Sequence, residues 1–300
     1  MSADARTNLG PGPGGVLRGG EREPSQGSRV AWFGRVLWAF ARRELLARSG
    51  YRLSFLLRGF SFVFAAVSLV FFSRFVGAAQ NPHLAPYGGS YLGFTLIGLV
   101  VIDLQQVGLS ELAQRIRTSQ LIGTLEAEIA TPAPGWITLG VAPVYAFGAA
   151  ALRAVVYLAV AALVLGVRFD RANPLSVVVV APLVLAAFAG MGLLAGAGTM
   201  LVRRANPVAM VLGTLSVFLS GVVYPVTVLP AWLQAAGKLL PLTHALAVMR
   251  GALLQGAGPA QLASSLQALA VFAVAMGGLG LGLFAVALRR ARIDGSLTHY

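Results

Sequence analysis

The sequence contains no cysteine and only three histidines in 300 residues. Disulfides, thiolate catalysis and cysteine-held metals are therefore excluded, and redox chemistry says nothing about the compartment. His83, His244 and His299 stand far apart and make no paired metal motif. Charge is scarce as well: Asp, Glu, Lys and Arg together make up 11% of the chain, less than half the ~25% of an average soluble domain. Nucleotide motifs are missing. Gly237-Lys238 lacks both the upstream glycine and the following Ser or Thr of a phosphate-binding loop. Gly10, Gly12 and Gly15 formally fit the dinucleotide fingerprint, but prolines interrupt them and no strand precedes them. No Gly-x-Ser-x-Gly elbow occurs. No catalytic, metal or cofactor-binding residue is assigned on these grounds.

What the chain has instead is apolar surface. Hydrophobic residues make up 57% of it, and there are 36 glycines, as suits helices that pack closely in lipid. A spanning helix needs ~20 mostly apolar residues. Six stretches qualify, at about 57–76, 91–110, 146–166, 177–201, 207–226 and 265–288. They are too long for strands and lack the alternation of a membrane barrel. Lipid offers no partners for backbone polar groups, so an all-α integral membrane fold follows. Gly192 with Gly196, and Gly278 with Gly282, are small-xxx-small spacings that fit close helix packing.

Before the first span the character changes twice. Residues 1–28 are polar and rich in Gly and Pro, and read as a disordered cytoplasmic tail with no apolar core for a signal peptide. In residues 29–50, Arg35 and Arg42 share one face at helical spacing, and Phe33, Leu37 and Phe40 lie roughly opposite. This segment is predicted to be an amphipathic helix in the membrane interface.

The net charge of +13 does not point to nucleic acid. The basic residues sit at the ends of apolar runs, so the implied partner is anionic membrane lipid. On one side lie the N-terminal arginines through Arg58, then Arg115, Arg117, Arg203, Arg204, Arg289, Arg290 and Arg292. The other side carries Arg74, Arg168, Arg171, Lys238 and Arg250. The positive-inside rule then places both termini in the cytoplasm. Asp103 and Arg153 are the only charges well inside spans. With span 2 ending near Ser110 and span 3 starting near residue 146, each lies about 10 Å from the cytoplasmic edge. Matched depth permits an ion pair between neighbouring helices.

Two segments do not fit a plain bundle. Residues 111–132, ELAQRIRTSQLIGTLEAEIATP, are helix-compatible, charged and longer than a tight turn between neighbours requires. A cytoplasmic helix held across the span ends is expected there, placed to receive force from a soluble partner. Residues 224–256 are punctuated by Pro225, Pro230 and Pro241, which disfavour a continuous helix. They are too apolar for a free loop. Two short helices in or dipping into the outer interface are expected, with Trp232 as anchor.

The combination is familiar. GTLE at 123–126 with Thr131-Pro132, followed by SGVVYPVTVLPAWLQ and LPLTHALAVMR across 220–250, resembles the membrane subunit of the ABC-2-type permease family over roughly residues 29–292. The resemblance implies a translocation path built by two such subunits, this chain with a second copy or a homologue. It implies two copies of a separate nucleotide-binding subunit that use ATP, with none bound by this chain. The region of Arg117, Gly123, Thr124, Leu125 and Glu126 would dock on that ATPase, braced by the helix near 30–48. Tyr224, Pro225, Pro230, Trp232 and Pro241 would belong to an outer gate. An exporter in the cytoplasmic (inner) membrane follows.

The substrate is not written in a motif. Aromatics concentrate in span 1 and the entry helix, whereas later spans are mostly Ala, Val, Leu and Gly. That favours a hydrophobic or amphiphilic substrate over a lipid-linked polysaccharide, which would need aromatic stacking faces along the path. A secondary transporter would place more ionisable residues at mid-membrane. A membrane anchor or sensor could use the same fold without transport.

Overall fold

The computed structural model describes residues 52–76, 87, 90–123, 135–202 and 207–293. Among them all regular elements are helical. In chain order they are α1 (Arg52–Val76), α2 (Tyr91–Ile122), α3 (Gly135–Leu163), α4 (Pro174–Val202) and α5 (Pro207–Leu219). A 3-10 turn (Val226–Val228), α6 (Ala231–Gly237), α7 (Pro241–Arg250), a π turn (Gly251–Gln255) and α8 (Ala263–Ile293) complete them. The expected tail at 1–28 and amphipathic helix at 29–50 lie outside the described residues.

Among the described residues four stretches are long and apolar enough to cross a membrane: Tyr91–Ile122, Pro143–Leu163, Pro174–Met200 and Ala263–Ala287. Two shorter apolar stretches, Gly59–Ser73 and Ala209–Leu219, fall where the sequence predicts spans 1 and 5. The predicted fifth span, 207–226, is shortened because its helix stops at Leu219. Gly221 then takes φ +73°, a left-handed turn that side chains rarely tolerate. An added Cβ there would stand 2.6 Å from the Val226 side chain and 2.9 Å from the Tyr224 carbonyl.

The second predicted span is longer than expected. Its boundary at Ser110 rests on the charged residues that follow, but α2 runs unbroken for 32 residues. Ser90 caps its start by accepting from the Gly93 N–H at 3.1 Å. Gly123, at φ 74°, caps its end in the left-handed conformation. Residues 111–122 therefore do not form a separate helix across the span ends. They extend α2, and Leu112, Ile116, Met200 and Ala287 pack into a core of their own.

Burial decides which helix is central. Of the apolar window in α2, 72% is buried, against 33% in α3, 39% in α4 and only 11% in α8. α2 lies against α3 and α4, and α8 lies along α4. The α2–α4 contact is close enough to require glycine on both sides. A Cβ on Gly192 would sit 2.4 Å from the Gly108 carbonyl oxygen, and one on Gly108 would sit 2.7 Å from that of Phe188. Gly196 meets Leu112. The α8 glycines behave differently from the expectation. Gly278 and Gly282 face open space, and Gly280 is the one that packs, on Leu193 and Leu194. Phe60, Phe64 and Phe71 of α1 are all exposed, while Ala66 is buried in a small cluster with Leu96 and Ala161.

Candidate functional site

Asp103 on α2 and Arg153 on α3 meet: Arg153 Nη2 donates to Asp103 Oδ2 at 3.0 Å. The arginine side chain is 9% exposed and the aspartate 31%, so the pair lies at the edge of the bundle with its anion turned outward. α2 continues past Ser110 to Ile122. The pair stands about 18 Å from the Tyr91 end of α2 and about 28 Å from the other end, at ~1.5 Å per residue.

Asp103 begins a polar row. Gln106, Ser110, Gln114 and Thr118 follow at spacings of three and four, and all are exposed or half-buried. Such spacing places them on one face of the helix. Ser110 returns its hydroxyl to the Gln106 carbonyl at 2.7 Å. Beside the row, α5 forms the far wall of a groove of about 220 Å³ lined by Gln106, Ala209, Met210, Gly213, Thr214 and Val217. Gly213 permits the approach: a Cβ there would already lie 3.4 Å from the Gln106 amide nitrogen. This row was legible as a helical period of polar residues inside an apolar segment, a signal that averaged hydropathy conceals.

Gln105 points elsewhere. It is fully buried, donates to Ser216 Oγ on α5 at 2.8 Å, and lies 3.8 Å from the Met191 sulfur on α4. Among the described residues its carbonyl oxygen has no hydrogen-bond partner. One buried amide thus ties three helices together.

The segment 220–257 folds back on the Tyr91 end of the bundle. Tyr224 Oη donates to the Phe218 carbonyl at the end of α5. Pro225 precedes the 3-10 turn, Pro230 precedes α6, and Pro241 opens α7 at its first position, where its missing N–H costs nothing. Trp232 is 72% exposed. Thr243 donates to the Gly237 carbonyl at 2.6 Å, closing α7 onto α6. α7 itself is deeply seated, with Leu242, Ala245, Leu246 and Val248 buried in the main core. Asn173 N–H donates to the Ala252 carbonyl at 2.9 Å, and Ser176 Oγ to that of Ala257 at 2.7 Å, fixing the π turn to the start of α4.

Arg250, the last residue of α7, is 3% exposed. Counted by sequence as one more charge in a loop, it turns inward. Nε donates to the Phe94 carbonyl at 3.1 Å, Nη1 to that of Gly221 at 2.9 Å, and Nη2 to that of Val222 at 2.8 Å. Its guanidinium carbon lies 3.4 Å from the centre of the Phe94 ring. The acceptors come from two distant segments, so no local signal in the sequence could have assigned them.

At the opposite end, Arg117 lies half-buried on α2 and Gly123 caps the helix. Thr124, Leu125 and Glu126, with Thr131-Pro132, lie outside the described residues.

No curated protein matches the chain. A family model described as ABC-2 type transporter matches residues 35–254, a range that takes in the polar row, the ion pair, the groove and most of the folded-back segment. Apolar membrane-length helices, a segment that folds back into the bundle and this match together establish that the chain is a multi-pass membrane permease of the ABC-2 type transporter family.

Proposed function

We propose that the chain is the membrane-spanning subunit of an ATP-driven exporter, powered by a separate nucleotide-binding subunit and paired with a second permease copy or homologue. The observation that carries this reading is the polar row on the exposed face of α2. Gln106, Gln114 and Thr118 are outward-facing on a helix of membrane length, and lipid would leave their polar groups without partners. A water-filled path or the same face of a second subunit supplies what lipid cannot. The groove between α2 and α5 mixes Gln106 and Thr214 with Met210 and Val217, a lining suited to a hydrophobic or amphiphilic substrate. The abundance of arginine near the Gly123 end supports a cytoplasmic location for that end and for both termini, in the cytoplasmic (inner) membrane. Arg117, Gly123, Thr124, Leu125 and Glu126 then face the ATPase. The segment 220–257 closes the outer end and acts as the gate.

The test is copurification of a tagged chain, expected to bring down an ATPase subunit, followed by reconstitution in vesicles. Amphiphile movement should require ATP and both subunits, and Gln106→Leu should slow it about tenfold at unchanged assembly, the scale of one lost polar contact. Transport by the chain alone, driven by an ion gradient, would overturn the reading.

A further inference from the structure

A buried arginine normally has an anionic partner, because an unpaired cation in an apolar interior is costly. Arg250 has another arrangement. Among the described residues its partners are three backbone carbonyls and the face of Phe94, and none is a carboxylate. The planar guanidinium suits this, since one rigid fork reaches acceptors in different directions while its face stacks on a ring. The segments it joins are those a closing element must hold: the first turn of α2, the left-handed break after α5, and the end of α7. The fit is tight on the far side too. A Cβ on Gly98 would stand 2.4 Å from the Val222 carbonyl oxygen and 3.0 Å from Arg250 Nη2, so only glycine lets that carbonyl and the guanidinium approach α2.

We infer that Arg250 is the positioning residue of the outer gate: its guanidinium clamps the 220–222 break onto the first turn of α2, and the gate opens when that clamp releases. This inference rests on the orientation and gate assigned above. The chemistry makes the clamp two-state. Closed, the cation is satisfied by carbonyl dipoles. Open, the 220–222 break has lifted away and outer water hydrates both the guanidinium and the carbonyls it leaves. Between these the charge has neither set of partners, so partial opening is disfavoured. An arginine paired to a carboxylate would be held more firmly and would resist opening.

The absence of native cysteine allows a direct test with the full chain in its own membrane, in right-side-out vesicles, using a membrane-impermeant maleimide. A cysteine at Val222, a residue 1% exposed, reports the clamp. A cysteine at Gln106, in the groove, reports access to the path. In each background the variants are Arg250→Gln, which removes the charge, Arg250→Lys, which keeps the charge without the fork, and Phe94→Leu, which removes only the ring. Both positions should label slowly with Arg250 present. With Arg250→Gln labelling should accelerate roughly 10- to 100-fold, the range expected for loss of charged hydrogen bonds. Arg250→Lys should fall between, and Phe94→Leu should give a rise of a few-fold. Native-rate labelling at position 222 in well-inserted Arg250→Lys and Arg250→Gln would overturn the clamp. If Arg250→Gln does not insert, Arg250→Lys and Phe94→Leu decide by the same criterion. Faster labelling at 222 with no change at 106 would leave the clamp standing and reject the gate.

Discussion

Gln105 and Gln106 are neighbours in sequence and meet opposite surroundings, one sealed between helices and the other turned to the groove. Their variants should separate accordingly. Ser216→Ala removes the partner of the Gln105 amide and should cost about 1–2 kcal/mol, read as a lower melting temperature in detergent. Gln105→Met should cost less, since it removes both the donor and the carbonyl oxygen that has no partner. Equal losses would contradict that asymmetry. The Asp103–Arg153 pair has its own test. Asp103→Arg and Arg153→Asp should each lower insertion or assembly by about 2–3 kcal/mol, the scale for an unpaired charge in a span, and the double swap should restore most of it. No rescue in well-inserted protein would show that the 3.0 Å contact contributes little. These two charges could be picked out from sequence because nothing else so polar interrupts the apolar runs. Arg250 could not, because its acceptors lie 28, 29 and 156 residues away.

At the scale of elements, the helical character and most boundaries were legible from length and hydropathy. Three boundaries differ: the third helix begins at Gly135 and not at 146, and the ends of the second and fifth are displaced. Averaged hydropathy ended the second span at Ser110, yet Leu112 and Ile116 find apolar partners on Met200 and Ala287, and tertiary packing carried the helix on to Gly123. Hydropathy carries the fifth span through Ser220 to 226, but the left-handed Gly221 breaks it. Packing glycines were also only partly readable: a small-xxx-small spacing names a candidate face without saying whether a partner covers it. Gly192→Ala should therefore destabilise by about 1–3 kcal/mol, as overpacking does. Gly278→Ala, with nothing within 4 Å, should change the melting temperature little or raise it slightly. Similar losses at both positions would refute the α2–α4 contact as described.

For the whole molecule, orientation can be mapped with single cysteines. Positions 83 and 255 should react with impermeant reagent from outside, and positions 121 and 296 only from inside. Leu121 is 64% exposed, so a cysteine there is open to reagent on its own side. Outside labelling at 121 would invert the assignment. The purified chain should also hydrolyse no ATP without a partner, since it carries no phosphate-binding loop. α2 bears on how the two ends of the molecule communicate. It is a single rod that reaches the Arg250 contacts at one end and the Gly123 cap at the other, and it crosses α4 at Gly108. That crossing lies about 26 Å from Tyr91 and about 21 Å from Ile122 along the axis. A seesaw pivoted there has nearly equal arms. A tilt of about 10° that draws the lower arm one way by about 4 Å swings the upper arm the other way by about 4–5 Å, with no bend in the backbone.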